Sequence, residues 1–138
     1  MLNAIFSSPR VAVLEQALNA SSLRQKVISN NIANVNTPGF KKSDVIFEDV
    51  LSEAMSGNGK LTMVRTNEKH FPQMQGNGVP SPMIQLDANT SLRTDGNNVD
   101  VDVEMANMAK NNIYYNAVVQ QINSYFSSIK SAANEGRR

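Results

Sequence analysis

The chain has 138 residues, enough for one modest domain, and its 13 basic and 12 acidic residues leave a formal net charge of +1, which argues against nucleic acid or an anionic membrane as a partner. It contains no cysteine, so disulfides and thiol chemistry are excluded. No apolar run approaches the roughly 18 residues of a membrane helix, and the first ten residues lack the pattern of a cleaved secretory signal, so we expect neither.

Glycine and proline are concentrated in the middle of the chain. Six of the seven glycines and four of the five prolines lie there, whereas both flanks are almost free of them. Because these residues interrupt helices, the composition predicts three regions. We expect an N-terminal helix within residues 1–36, a loop-rich middle region in residues 37–98 and a C-terminal helix within residues 99–138.

The N-terminal region has the period of a long amphipathic helix. Ser8 is suited to be its N-cap, Pro9 to be its first residue, and the Thr-Pro-Gly sequence at residues 37–39 favours a stop. One stripe follows the alternating spacing of three and four that is typical of a heptad seam: Val11, Leu14, Leu18, Ser21, Gln25, Ile28, Ile32 and Val35. At about 1.5 Å per residue, such a helix is roughly 40 Å long.

The middle region is predicted to contain little regular structure. The apolar residues of segment 45–55 fall mostly on one side of a helix, which predicts a short helix there. Residues 61–66 have the composition of a short strand. Three prolines interrupt residues 68–98, so we expect loops throughout that segment.

The C-terminal region has a stronger helical period. Residues 99–103 alternate valine with aspartate, which predicts a short extended stretch, and a helix then begins near Asp102 or Val103 and ends before Gly136. The acidic residues of this stretch suit a helix N-terminus. The predicted seam has one polar member, Asn112, and its other members are Met105, Met108, Tyr115, Val119, Ile122, Phe126, Ile129 and Ala133.

Asparagine is frequent inside both predicted helices, although it is a poor helix former. The positions are Asn30, Asn31, Asn34, Asn107, Asn111, Asn112 and Asn116. A side-chain amide both donates and accepts hydrogen bonds, which suits contacts between tightly packed helices. A general bias of composition explains the same residues, and the sequence leaves both explanations open.

Two narrow apolar stripes on long helices do not make a thick core. A helix pair buries one stripe against the other and leaves its flanks open, which favours association with further copies or partners. A closed monomeric hairpin would show the same periodicity. Periodicity therefore leaves self-assembly and a monomeric hairpin as alternatives.

The sequence offers no candidate catalytic, cofactor-binding or metal-binding residues. The single histidine, His70, has no nucleophile motif and no second histidine beside it. Residues 57–62 resemble a phosphate loop but have Leu61 where serine or threonine is needed. We therefore expect no enzyme activity, no cofactor, no small-molecule substrate and no nucleic acid partner.

The segment from residue 29 to residue 41 resembles the signature of bacterial flagellar rod and hook proteins. In that family the N-terminal helix ends in an S/A-N-N-I-A-N-x-N-T-P-G-F/Y sequence, and this chain matches it without a gap. The matching residues are Asn30, Asn31, Ile32, Ala33, Asn34, Asn36, Thr37, Pro38, Gly39 and Phe40. The chain is too short for the large middle domain of hook and distal rod proteins.

Three further segments are similar to proximal rod proteins of this family. They are the D-G-N-x-V-D-x-D-x-E stretch within residues 91–105, the T-x-x-x-H-F element at residues 66–71 and the N-x-x-x-Y-N region within residues 111–117. The resemblance thus covers essentially the whole chain. A paralogous proximal rod protein is the nearest alternative within the family, and a non-polymerising coiled-coil adaptor or secretion chaperone is the alternative outside it.

The resemblance implies a structural subunit of the proximal rod in the flagellar basal body. Its partners would be copies of itself, other flagellar rod proteins, the type III export apparatus and the membrane ring, and it would assemble in the periplasm after export without a cleaved signal. The rod would transmit torque and pass exported subunits. The resemblance also implies a mainly α fold whose two long terminal helices pair as an antiparallel coiled coil, often disordered before assembly, with a short helix and little β structure between them.

Overall fold

The computed structural model describes residues 8–55, 79–88 and 90–135. In chain order its elements are α1 (Pro9–Ala33), β1 (Ser43–Ile46), α2 (Glu48–Met55), β2 (Met83–Leu86) and α3 (Val101–Glu135). The predicted mainly α fold is confirmed, and no helix among the described residues is long and apolar enough to cross a membrane. The strand predicted at residues 61–66 lies outside the described residues.

The start of α1 follows from its sequence. Ser8 has an extended backbone, and its carbonyl oxygen accepts the first backbone hydrogen bond of the helix at 3.0 Å. Pro9 follows at the position where a missing N–H removes no helical hydrogen bond. The helix ends at Ala33, and just beyond it the side chain of Asn34 donates to the carbonyl oxygen of Asn30 at 2.8 Å.

The start of α3 differs from the prediction. The alternation of residues 99–103 predicted an extended stretch, but Val101 is already helical. Asp100 is the N-cap, since its Oδ1 accepts the backbone N–H groups of Asp102 and Val103 at 3.0 and 3.4 Å. Asp100 therefore caps the helix, and Asp102 and Glu104 lie in its first turn, where the helix dipole favours negative charge.

The two long helices lie antiparallel. Asn31, near the end of α1, contacts Glu104 in the first turn of α3, whereas Leu14, near the start of α1, lies with Ile122 around the core cluster. α1 has 25 residues and α3 has 35 residues. The predicted pairing of the terminal helices is confirmed, and it forms the frame on which the shorter elements pack.

A small apolar cluster joins α2 to the helix pair. Phe47, which precedes α2, is 1% exposed and packs with Ala17 and Ala20 of α1 and Val118 of α3. The two alanines leave room for the phenylalanine ring between the helices. Five partly buried residues surround this cluster: Leu14, Leu18, Leu51, Tyr114 and Ile122.

The short strands form a two-stranded antiparallel ribbon. Ser43 of β1 lies opposite Leu86 of β2, and Ile46 lies opposite Met83. The prediction of a helix over residues 45–55 is therefore right for residues 48–55, which form α2. It is wrong for Val45 and Ile46, which belong to β1. The prediction of loops alone is wrong for β2. Both errors arise because strand pairing here joins segments far apart in sequence, which local periodicity cannot detect.

A charged pair fastens the start of α2 to α1. Two nitrogens of the Arg24 guanidinium donate to the two carboxylate oxygens of Glu48, at 3.0 and 2.6 Å, and one also lies 3.3 Å from the carbonyl oxygen of Val45. Burial alone would raise the pKa of Glu48. The hydrogen bonds and the positive charge of Arg24 outweigh that effect, so the pKa lies below its ordinary value.

We expect the substitution Phe47→Ala to lower the free energy of unfolding by about 3–5 kcal/mol, because it leaves a cavity at the junction of three elements. Urea unfolding followed by circular dichroism measures the change. The matched control is Met55→Ala on α2, where the side chain is 74% exposed. Equal effects of the two substitutions would contradict the assignment of Phe47 to the core.

We expect Glu48→Gln to lower the free energy of unfolding at pH 7 by roughly 0.5 kcal/mol, a small value because the pair is partly exposed and screened. A carboxyl whose pKa is lowered on folding contributes stability above its ordinary pKa of 4.5 and loses it on protonation. The difference from the parent protein should therefore shrink as the pH falls through the lowered pKa of Glu48. Asp49→Asn, also in the first turn of α2, controls for the helix dipole.

Candidate assembly site

Many large apolar side chains of the described residues face solvent. They lie at the end of α2, on α3, on β2 and in the loop after it, and they are Met55, Met83, Ile84, Leu86, Leu92, Val103, Met105, Ile113, Tyr115 and Phe126. Ile113 is 72% exposed and Met105 is 59% exposed. Apolar exposure on this scale is typical of an interaction surface.

The seam predicted for α1 lies against the rest of the chain. Ser21 and Ile28 are buried, and the other six members are at least partly buried. The contact also includes buried residues beside the predicted stripe, namely Ala17, Ala20, Val27 and Asn31. The face of α1 that packs within the subunit is therefore wider than the heptad pattern indicates.

The seam predicted for α3 is divided between two faces. The buried line of α3 runs through Glu104, Asn111 and Val118, one position before the predicted Met105, Asn112 and Val119. Of the other predicted members, Met108, Ile122 and Ile129 are partly buried, whereas Tyr115, Phe126 and Ala133 are exposed. Counting apolar residues missed the true line because two of its positions are polar.

The helix pair has an apolar groove where α1 begins. The groove has a volume of about 220 Å³ and an almost wholly apolar wall. Both helices line it, with Val11, Leu14, Glu15 and Leu18 from α1 and Ile122, Tyr125 and Phe126 from α3. It continues the outward-facing apolar surface of α3 through Phe126.

The segment that matches the family signature forms a tight turn directly after α1. The backbone N–H of Thr37 donates to the carbonyl oxygen of Asn34 at 3.0 Å, and that of Phe40 donates to the carbonyl oxygen of Thr37 at 3.2 Å. Gly39 has φ of +70°, a conformation that favours glycine. Its N–H donates to the carbonyl oxygen of Asp95 at 2.9 Å, so the turn is tied to the loop before α3.

Asn97 is the centre of that connection. Its side chain is fully buried, and its amide nitrogen lies 3.1, 3.0 and 2.9 Å from the carbonyl oxygens of Asn34, Val35 and Thr37. Its amide oxygen accepts the N–H of Val99 at 2.7 Å. One side chain thus gathers three carbonyl groups of the turn that follows α1. We call this arrangement the Asn97 joint.

Neighbouring residues strengthen the joint. Lys41 Nζ donates to the carbonyl oxygens of Thr90 and Gly96 at 2.7 and 2.8 Å. The amide oxygen of the buried Asn98 accepts the backbone N–H of Lys42 at 2.7 Å. The two sequence motifs that resemble rod proteins, one after α1 and one before α3, therefore bind each other directly, which the sequence did not indicate.

Asn31 connects α1 to both β1 and α3. Its amide oxygen accepts the N–H of Ser43 at 3.1 Å, and its amide nitrogen donates to the carbonyl oxygen of Ser43 at 2.9 Å, as a neighbouring strand would. The nitrogen also donates to Oε2 of Glu104 at 3.1 Å. The hypothesis that amides join the packed helices is thus confirmed for Asn31 and Asn111, whereas Asn30, Asn112 and Asn116 are exposed.

Within the described ranges, no group of three or more histidine, cysteine, aspartate or glutamate residues is placed to hold a metal ion. His70 and the glycine-rich residues 57–62 lie outside those ranges. The described site is therefore an array of apolar side chains and hydrogen-bonded turns, suited to contact with other protein surfaces.

Comparison with known proteins agrees with the signature segment. A family model described as flagella basal body rod protein matches residues 12–41, which span most of α1 and the turn after it. The flagellar basal body rod protein FlgB of Bacillus subtilis is 38% identical over 124 residues, which are 90% of this chain and 92% of that protein.

Two other relatives show the same extent of similarity. FlgB of Borrelia hermsii is 37% identical over 86% of this chain and 91% of its own length. FlgB of Proteus mirabilis is 34% identical over 88% of this chain and 91% of its own length. All three are FlgB proteins, and the match spans nearly all of both chains. The chain belongs to the flagellar basal body rod protein family, a family of structural proteins and not of enzymes, and it is FlgB-like within that family.

Proposed function

We propose that this chain is a subunit of the proximal rod and assembles with copies of itself and with other rod proteins into a hollow axial shaft. The shaft joins the membrane ring and the export apparatus to the distal rod, transmits torque and passes exported subunits. The subunit reaches the periplasm through the flagellar type III apparatus without a cleaved signal. The observation that carries the proposal is the set of large apolar side chains that α3 and β2 expose to solvent in a member of the rod family.

The contacts proposed for assembly use surfaces that the helix pair leaves open. Val103, Met105 and Ile113 of α3 are 48%, 59% and 72% exposed, and they offer apolar side chains to neighbouring subunits. The predicted seam of α1, together with Met108, Val119, Ile122 and Ile129 of α3, is buried or partly buried within the pair. Different surfaces of one chain that bind each other without closing a ring generate a helical filament, which is the form a rod requires.

The signature residues are proposed to set the direction in which the chain leaves α1. The Asn97 joint holds the turn against the start of α3, so the long helices and the β ribbon move as one body. The side chains of Asn36, Thr37 and Pro38 remain exposed on this turn. We infer that the segment acts in assembly by presenting a rigid turn beside the helix pair, and that it needs no chemistry of its own.

We expect Ile113→Asp to prevent incorporation into basal bodies, because it places a charge on the outer apolar face of α3 without entering the core. Isolated basal bodies probed by immunoblotting, and swimming in soft agar, measure the effect in cells that carry the variant as the only copy. The matched control is Asn116→Asp, an exposed position one turn along the same helix. If the chain were a non-polymerising adaptor or secretion chaperone, the parent protein itself would be absent from isolated basal bodies.

We expect Asn97→Asp to lower the free energy of unfolding by about 1–3 kcal/mol and to impair rod assembly. The new side chain has nearly the same shape but offers an oxygen where the three carbonyl groups need a donor. Urea unfolding and basal body isolation measure the two effects. Asn116→Asp makes the same chemical change on the surface of α3, and an equal response of both variants would contradict the role of the joint.

A further inference from the structure

The interior of the helix pair contains two hydrogen-bonded polar layers. In the first, Ser21 Oγ donates to Oδ1 of Asn111 at 3.0 Å, while the amide nitrogen of Asn111 lies 3.0 Å from the carbonyl oxygen of Ser21 and 3.1 Å from Oε1 of Gln25. The second is the contact between Asn31 and Glu104. Ser21, Asn31 and Glu104 are each 1% exposed, so both layers are shielded from water.

These layers occupy positions where apolar residues would make a more stable contact. A buried polar group without a partner costs free energy, whereas a pair of apolar residues of similar size is often at least as stable as a satisfied polar pair. Between the two layers in α3 lies one heptad, from Glu104 to Asn111, and Val118 follows after another heptad. The polar layers therefore interrupt the inner face where apolar packing alone would continue.

Apolar contacts alone do not define how far α3 is shifted along α1. Positions of α3 that are seven residues apart face α1 in the same way, and Tyr115, Ile122 and Ile129 form such a series. A shift of seven residues in one direction would place Val118 opposite Ser21 and move Glu104 beyond the end of α1. A shift in the other direction would place the amide of Asn111 beside Leu14.

We propose that Asn111, with Ser21, Gln25 and the contact between Asn31 and Glu104, determines the register of the helix pair, as positioning residues rather than as a source of stability. Only the observed register satisfies every polar group in both layers. Each shifted register leaves a buried amide or hydroxyl without its partner, which corresponds to a preference of roughly tenfold to a hundredfold for the observed register. The inference rests on the contacts within the chain and is independent of the proposed rod function.

The register has a consequence for assembly. In a shaft built from many copies, every subunit would offer similar apolar helices to its neighbours, and apolar stripes alone discriminate poorly among them. A polar layer that only α1 and α3 of one subunit can complete selects the partner inside the chain. The outer apolar face of α3 then remains available for contacts with neighbours.

Pairs of introduced cysteines test the register, because the chain has no cysteine of its own. Leu14→Cys with Ile122→Cys reports the observed register, since both side chains line the groove between the helices. Leu14→Cys with Ile129→Cys, and Leu14→Cys with Tyr115→Cys, report shifts of seven residues in either direction. The full-length protein is oxidised in solution, and mass spectrometry quantifies each disulfide within a chain.

In the parent sequence we expect the Ile122 pair to cross-link at least about tenfold more than either shifted pair. In the double variant Ser21→Ala with Asn111→Leu, which leaves the contact between Asn31 and Glu104 in place, the preference for the Ile122 pair should fall severalfold, while the thermal midpoint stays the same or rises. The control is Asn112→Leu, an exposed position next to Asn111, which should leave the preference unchanged.

Two results would overturn the proposal. If the double variant keeps the parent's preference for the Ile122 disulfide, Ser21 and Asn111 do not determine the register. If the parent shows no preference for that disulfide, the observed register is not selected at all.

Discussion

The contact between α1 and α3 is the interaction on which the other described elements depend. It is long and narrow, and at its centre small side chains alternate with hydrogen-bonded polar ones. Phe47 packs where two alanines leave space, and β1 is hydrogen-bonded to the amide of Asn31. α2 begins directly after Phe47, so these two contacts also fix its position. None of the shorter elements has a core of its own, so loss of the helix pair would release all of them. A structure of this kind gains much of its stability from cooperation between elements.

The sequence predicted the two long helices because their signals are local, and the resemblance to rod proteins implied that they pair. Ser8 and Pro9 mark the start of α1, the absence of glycine and proline marks both helices, and alternating spacings mark their apolar sides. Three members of the predicted seam of α3, Met105, Asn112 and Val119, lie one residue after the buried line, because Glu104 and Asn111 are buried despite their polarity. Only the partner residues on α1 explain that burial, and a periodicity of apolar residues contains no information about partners.

The long-range parts of the site could not be predicted for the same reason. β2 follows a proline-rich stretch and acquires its conformation by pairing with β1, which lies far away in the chain. The Asn97 joint brings together two segments that each looked like a separate turn. A run of turn-forming residues indicates that the chain changes direction, but it does not say which other segment receives the turn. The family signature and the aspartate-rich motif were recognised separately, and their contact emerges only in three dimensions.

The Asn97 joint has an evolutionary consequence. Its buried amide recognises carbonyl oxygens of the main chain, and these are the same whatever side chain a residue carries. Substitutions at the exposed positions of the turn therefore leave its main hydrogen bonds in place. Natural selection can alter the surface of this turn to match a changing neighbour while the underlying geometry is inherited intact. Coevolving residues of adjoining subunits should accordingly be found at its exposed side chains and not at Asn97.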